Sequence, residues 1–388
     1  MQADFPNLIE TEAQLDDILT RPGARLIEFV RRLPSPLLVL GAGGKMGPTL
    51  AVLARRAAEA AGCPLRVMAV SRFNDASART WLESRGVETI SCDLFDRASV
   101  ATLPEANGVI YLVGLKFGTS QNPALTWAAN TLIPTAVAER FRQSRIVALS
   151  TGNVYPLVPV TSGGAKESHP LTPLGEYANA AVARERIFEY HAQCHGTPLV
   201  LVRLNYAVEL RYGVLRDIAE KVWRGEAVDL SNGYFNCIWQ GDANDMIIRA
   251  LALAENPPRP LNLTGPDVLS IRSLAARLGE LMGVSVKSQD ADGDVAPAGD
   301  PLSPSLSPTR GEGARRVGEG APSTPRTVKL TGIEAGDALL SNASRAIELL
   351  GQPSVSLEDM LRWTAHWVMR GGRSLNKPTH FEVRDGKY

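Results

Sequence analysis

Gly41, Gly44 and Gly47 recur every third residue in Gly41-Ala-Gly-Gly-Lys-Met-Gly47. The apolar run Pro36-Leu-Leu-Val-Leu40 precedes them, and Leu50, Leu53, Ala54, Ala57 and Ala61 follow at helical spacing. Glycines placed this way permit a tight turn, let backbone approach a pyrophosphate closely, and pack the helix against the strand. Pro48 is tolerated in a first helical turn, where its missing N–H costs nothing. The helix N-terminus then turns free N–H groups and partial positive charge toward phosphate oxygens. A glycine triplet alone is a weak signal, but with a strand before it and a helix after it the pattern predicts a dinucleotide cradle. His191 and His195 sit one turn apart beside Cys194 and superficially resemble a metal pair. The pattern places no third ligand, so no metal is expected.

The elements that must hold this loop alternate regularly. Strands are expected at 36–40, 65–71, 88–92, 108–114, 145–150 and 198–203, with helices at 47–61, 75–85, 123–141 and 177–194. That alternation implies right-handed βαβ units and a parallel sheet covered on both faces, with ligands at the carboxyl ends of its strands. The expected fold is α/β, a Rossmann-type doubly wound parallel sheet with a smaller mixed C-terminal substrate lobe. Residues 1–35 read as a helical extension, 36–203 as the NAD(P)-binding domain, 204–375 as the substrate lobe and 376–388 as a tail. Within that lobe, helices are expected near 213–224, 242–255, 271–282, 341–350 and 357–370. Residues 289–326 are dense in Pro, Gly, Ser and charge, as in Pro301-Leu-Ser-Pro-Ser-Leu-Ser-Pro308, and read as a disordered insert.

Lys+Arg and Asp+Glu balance at 41 each over 388 residues, so no net field favours nucleic acid or an anionic membrane. No uninterrupted apolar stretch is long enough to span a bilayer, and the first residues lack a signal-peptide core. Cys63, Cys92, Cys194 and Cys237 are scattered without a Cys-x-x-Cys pair, which fits reduced thiols and a cytoplasmic location. Four of the six tryptophans, at 223, 239, 363 and 367, read as core or cleft residues.

Several further stations follow the glycine loop in order: Asp93-Leu94 after the third strand, Leu112-Val113-Gly114 at the end of the fourth, and Asn130 in a helix. Ser150-Thr-Gly-Asn-Val-Tyr155, then Glu167, Pro170, Pro173, Tyr177 and Glu185, and finally Arg203 and Asp242, complete the series. In this order and spacing the chain resembles the extended branch of the short-chain dehydrogenase/reductase superfamily, which holds nucleotide-sugar epimerases and dehydratases. The resemblance implies that Gly41, Gly43, Gly44, Lys45, Met46 and Gly47 cradle the pyrophosphate and that Asp93 and Leu94 meet the adenine. It places Leu112, Val113 and Gly114 under the nicotinamide side. Thr151 is then the catalytic hydroxyl, and Tyr177 the residue that gives or takes the proton.

The departure falls at the family's Tyr-x-x-x-Lys, which here reads Tyr177-Ala-Asn-Ala-Ala181. That lysine would favour tyrosinate over a phenol whose pKa starts near ~10, and would hold the nicotinamide ribose. Alanine does neither. Lys116, just past the fourth strand, is the favoured replacement cation; Arg184, seven residues after Tyr177 on the same helical face, is the other. At the end of the second strand stand Ser71 and Arg72 where NAD-preferring relatives carry an acid, so NADP is favoured over NAD. Lys45 adds charge to the same expectation.

The combined reading is an NAD(P)-dependent oxidoreductase or epimerase/dehydratase acting on a sugar, sugar nucleotide or polyol-derived substrate. The alternative is a non-catalytic nicotinamide-dinucleotide sensor or scaffold. A third reading is a lyase or isomerase using tightly held NAD transiently. A homodimer through helices 123–141 and 177–194 is the partner the resemblance implies.

Overall fold

Continuous apolar runs form strands buried from both sides; the main sheet takes six strands from before residue 205, five of them largely buried and the sixth, Glu88–Ser91, a polar edge strand. In the computed structural model, which describes residues 5–115, 118, 121–288, 326–376, 379 and 381–386, they are β1 (Leu37–Leu40), β2 (Val67–Ser71), β3 (Glu88–Ser91), β4 (Gly108–Tyr111), β5 (Arg145–Thr151) and β6 (Leu199–Leu204). A seventh, β7 (Arg259–Leu263), pairs with β6. All run parallel in the order β7-β6-β5-β4-β1-β2-β3. Chain order reverses on either side of β1, which opens a crevice at the carboxyl ends of β1 and β4.

Helices cover both faces, with α4 (Ala76–Glu83) against β3, α5 (Arg97–Ala101) against the helix that follows β4, and α11 (Ser344–Leu350) against β7. On one side lie α2 (Ala24–Val30), α3 (Gly47–Ala61) and α9 (Gln240–Arg249), whose Leu26, Leu50, Leu53 and Ile247 join Val39 and Val147 in one core. On the other lie α6 (Pro123–Arg140) and α7 (Gly175–His195), packed on Leu38, Leu40 and Tyr111 through Ile133, Val137 and Phe188. The doubly wound α/β sheet is therefore as expected, and α3 keeps the expected bounds.

The second lobe has its own apolar centre. There α8 (Val214–Arg224), α10 (Ile271–Met282) and α12 (Leu357–Met369) meet around Ile218, Leu278, Trp363 and Trp367. Trp239 packs edge-on to Trp363 with ring centroids 5.5 Å apart. Three tryptophans of the four are thus core residues, and Trp223 packs against that core. Phe381 of the tail is buried in the same cluster, so the tail packs on this lobe.

Three expectations are corrected. The division after residue 203 is not a single crossing, because α9 and β7 return to the main sheet. The extension also spans both units: α1 (Glu12–Leu19) buries Leu15 and Leu19 in the second lobe, while α2 buries Leu26 on the sheet. The helix expected at 242–255 begins at Gln240, ends at Arg249 and continues as a tighter turn over Ala250–Leu253. Of the low-complexity insert 289–326, all but Arg326 lies outside the described residues. Arg326 belongs to the lobe, its guanidinium donating to the Trp223 carbonyl at 2.6 Å and lying over the Trp223 ring.

Ser285–Ser288 and Thr327–Thr331, which flank the insert, pair in parallel, Ser285 opposite Thr327. Parallel neighbours need a crossover of roughly a dozen residues or more. Replacing 289–325 with a Gly/Ser linker of about fifteen residues should leave the melting temperature unchanged, whereas a two-residue turn should lower it sharply. Equal melting temperatures for the two linkers would contradict the parallel register.

Candidate active site

The glycine loop folds as its spacing demands. Gly41 has φ +81°, and a Cβ there would lie 2.9 Å from Val113 Cγ2 and 3.2 Å from the Val113 nitrogen. A side chain at 41 would therefore be strained and would also push the loop off the end of β4. At Gly47 a Cβ would fall 2.5 Å from the Ala42 Cα, which is immovable backbone. The N–H groups of Gly41 and Ala42 donate to the Val70 carbonyl at 2.9 and 3.1 Å, tying the loop to β2. Ser71 Oγ comes 2.6 Å from where a Gly43 Cβ would be. The loop presents bare glycine backbone at 41, 43 and 44 ahead of the first turn of α3, and it fits a pyrophosphate.

Gly41, Gly44 and Gly47 open onto a cleft of about 250 Å³ that Val113, Gly114, Thr151 and Tyr177 also line. Thr151 ends β5, its Oγ1 donating to Asn153 Oδ1 at 2.9 Å and accepting from the Asn153 N–H at 3.2 Å. Tyr177 stands in the first turn of α7 and is almost fully buried. That turn is fixed by the tail: Gly175 has φ +78°, and a Cβ on it would fall 2.2 Å from the Gly386 carbonyl oxygen.

Beneath these residues runs a buried polar network. Arg203 on β6 pairs with Glu185 on α7 through two hydrogen bonds, Nε to Oε1 at 3.0 Å and Nη2 to Oε2 at 2.8 Å. The two side chains are 4% and 1% exposed. Ser150 Oγ donates to the same Glu185 carboxylate, so β5 is bound to α7 next to Thr151. Arg203 also donates to the Tyr155 hydroxyl at 2.6 Å, which donates to Asn262 Oδ1 on β7 at 2.9 Å. Burial raises the Tyr155 phenol above its usual range, although the Arg203 charge opposes this. Glu167 accepts from the Asn262 N–H at 2.9 Å and so anchors β7.

The remaining expectations divide. Arg72 is exposed at the end of β2, and Leu94 is buried after β3. Asp93 turns one carboxylate oxygen to its own loop, accepting from the Phe95 N–H at 3.0 Å. Lys45 does not face the adenosine side. Its Nζ donates to the Ala207 carbonyl at 2.7 Å and lies 3.6 Å from the centre of the Tyr212 ring, across the cleft from β2. Lys116 lies outside the described residues. Asp242 accepts from Ser354 Oγ at 2.6 Å and the Val355 N–H at 3.0 Å, a structural anchor whose carboxyl burial holds above the usual carboxylate range.

Two cleft residues carried no signal in the sequence. Tyr212 is pushed up to about 12 by burial, with Asp217 and Tyr177 adding to the effect, so it stays a neutral phenol at physiological pH. Thr379 of the tail lines the cleft, held by Asp217 Oδ2, which accepts from its N–H at 3.0 Å and its hydroxyl at 2.6 Å. Neither lies in a periodic segment, and only the packing of loop and tail brings them to α7.

Residues 37–208 match the NAD dependent epimerase/dehydratase family. No curated protein matches the chain. Solved structures with a similar fold include the UDP-glucose 4-epimerase of Thermotoga maritima with UDP-glucose, at 16% identity and TM-score 0.60 over 87% of this chain and 99% of that one. The Thermus thermophilus UDP-glucose 4-epimerase complex with NAD stands at 18% identity and TM-score 0.60, over 85% and 98%. The Bacillus cereus UDP-glucuronic acid 4-epimerase with NAD stands at 15% and 0.61, over 86% and 96%. At such identities the likeness establishes the fold.

The network makes a direct prediction. Glu185→Met leaves Arg203 buried without its carboxylate and should cost about 3–5 kcal/mol in urea unfolding. Glu185→Met combined with Arg203→Met should cost clearly less. A double variant losing the sum of both single losses would contradict the pairing.

Proposed function

We propose, from the match of residues 37–208 to the NAD dependent epimerase/dehydratase family, that the chain is a nicotinamide-dinucleotide-dependent enzyme of sugar nucleotides, an epimerase, dehydratase or oxidoreductase. The observation that carries this reading is the shared cleft: Thr151 and Tyr177 face the same space as Gly41, Gly44 and Gly47. A pure dinucleotide sensor has no use for a buried hydroxyl and phenol beside the cradle. The sugar-nucleotide class is drawn from what the similar structures hold, UDP-glucose in one and NAD in others.

In this reading the backbone of 44–47 holds the pyrophosphate, Leu94 lines the adenine side, and Val113 and Gly114 floor the nicotinamide side. When bound, the dinucleotide supplies a hydride acceptor or donor at a sugar carbon. Tyr177 exchanges a proton with the hydroxyl on that carbon, while the Thr151 hydroxyl hydrogen-bonds the same oxygen and orients it. Tyr212 remains protonated and adds a neutral donor to the cleft wall. Ala181 favours a second reading, a binder that kept the pocket and lost the chemistry, because it leaves Tyr177 without the motif lysine. Tyr177→Phe decides between them. Turnover of a UDP-sugar, followed by proton NMR, should fall at least about a hundredfold with the dinucleotide affinity unchanged. Retained turnover, or none in the unaltered protein across a panel of UDP-sugars, would overturn the proton-transfer role.

We propose NADP as the preferred form, with Arg72 pairing to the 2′-phosphate at the end of β2. Lys45, committed to Ala207 and Tyr212, adds nothing there. Arg72→Ala should weaken NADP binding by about tenfold and leave NAD unchanged; parallel losses for both would contradict the assignment. The exposed Leu125, Trp127, Leu132 and Tyr190 on α6 and α7 support pairing of two copies through these helices.

A further inference from the structure

We infer that Arg184 is a ligand-binding cation of this cleft, binding ribose and phosphate oxygens of the dinucleotide from the same helix as Tyr177, in place of the lysine absent at 181. The inference rests on the dinucleotide reading above and assigns a role to a residue outside the family's motif.

Tyr177, Ala181 and Arg184 share one face of α7, with Arg184 roughly 10 Å along the axis from Tyr177. Helical side chains lean toward the N-terminus, so a long guanidinium at 184 reaches back over position 181, where the alanine methyl leaves room. Arg184 does line the cleft together with Tyr177 and Thr151, though only 3% of it is exposed. Its Nη1 donates to the Val113 carbonyl at 3.1 Å and to Asn130 Oδ1 at 2.8 Å. A Cβ on Gly114 would lie 2.7 Å from that nitrogen, so the guanidinium passes close against the Gly114 backbone. Val113 also touches Gly41, which places the charge one layer of backbone from the glycine loop.

The charge balance points to a ligand. Among the described residues no carboxylate pairs with Arg184, its acceptors, the Val113 carbonyl and Asn130 Oδ1, are neutral, and its buried Nε has no partner. Arg203, nearby on β6, is equally buried but has Glu185 bidentately. A buried guanidinium without an anion costs several kcal/mol. Anionic oxygens arriving in the cleft remove that cost, and the dinucleotide carries them. The charge also reaches the neighbouring Tyr111 phenol, which it pulls down against the upward push of burial.

The test compares Arg184→Met, Arg184→Lys and Ala181→Lys/Arg184→Met, titrating NAD and NADP by tryptophan quenching and recording melting temperatures without ligand. Arg184→Met should weaken dinucleotide binding at least about tenfold, while the ligand-free melting temperature holds or rises because an unpaired buried charge has gone. Arg184→Lys should fall between, and restoring a cation at 181 should recover most of the affinity. A purely structural arginine gives the opposite pattern: a lowered melting temperature with affinity retained, which would overturn the assignment. Should Arg184→Met fail to fold, Arg184→Lys with affinity equal to the unaltered protein overturns it as well. Failure of the unaltered protein to bind either dinucleotide overturns the underlying reading, a result distinct from binding that survives loss of Arg184.

Discussion

The ion pair between Arg203 and Glu185 is the constraint on which the rest of the cleft depends. It joins β6 to α7 deep in the molecule, and Ser150 adds β5 through the same carboxylate. Thr151 follows Ser150 directly, and Tyr177 stands two turns before Glu185 on the same helix. The two groups proposed to meet the reacting oxygen, Tyr177 and Thr151, are therefore tied to one buried carboxylate. Exposed ion pairs, of which the chain has many, contribute little to such placement. A fully hydrogen-bonded pair in the interior is different, since breaking it strands a charge. Tyr155, Asn262 and Glu167 extend the network to β7.

The second lobe completes the site from the other side. Its tail carries Thr379 to the cleft wall through Asp217, and Gly386 abuts Gly175 at the start of α7. Two glycines meet there because neither backbone leaves room for a side chain. Lys45 reaches from the glycine loop to Ala207 and the Tyr212 ring, linking the cradle to the segment that leads into that lobe. The glycine loop, α7 and the tail are thus mechanically connected, although they are far apart in sequence.

What the sequence made legible is what local physics dictates. The β1–loop–α3 unit reads directly because burial on both faces gives an apolar run, tight approach requires glycine, and α3 repeats at helical spacing. β7 was missed because Arg259-Pro-Leu-Asn-Leu263 is short and contains proline, a pattern admitted only at a sheet edge, which is where it lies. Lys45 stands in the glycine loop, where sequence alone points its charge at phosphate, but a lysine stem is long enough to cross the cleft. Arg184 was visible as a face-mate of Tyr177, yet its burial and missing carboxylate exist only in three dimensions. Tyr212 and Thr379 reach the cleft through loop and tail packing, which leaves no periodic trace.

The central claim is that the cleft at the β1–β4 reversal holds a nicotinamide dinucleotide with its pyrophosphate on the glycine loop. A crystal structure grown with saturating NAD or NADP tests it most directly. The account predicts the pyrophosphate at the backbone of Gly44–Gly47, the nicotinamide end toward Thr151 and Tyr177, and ligand oxygens within hydrogen-bond distance of Arg184. A dinucleotide bound elsewhere, or a cleft left without one at saturating concentration, would contradict it.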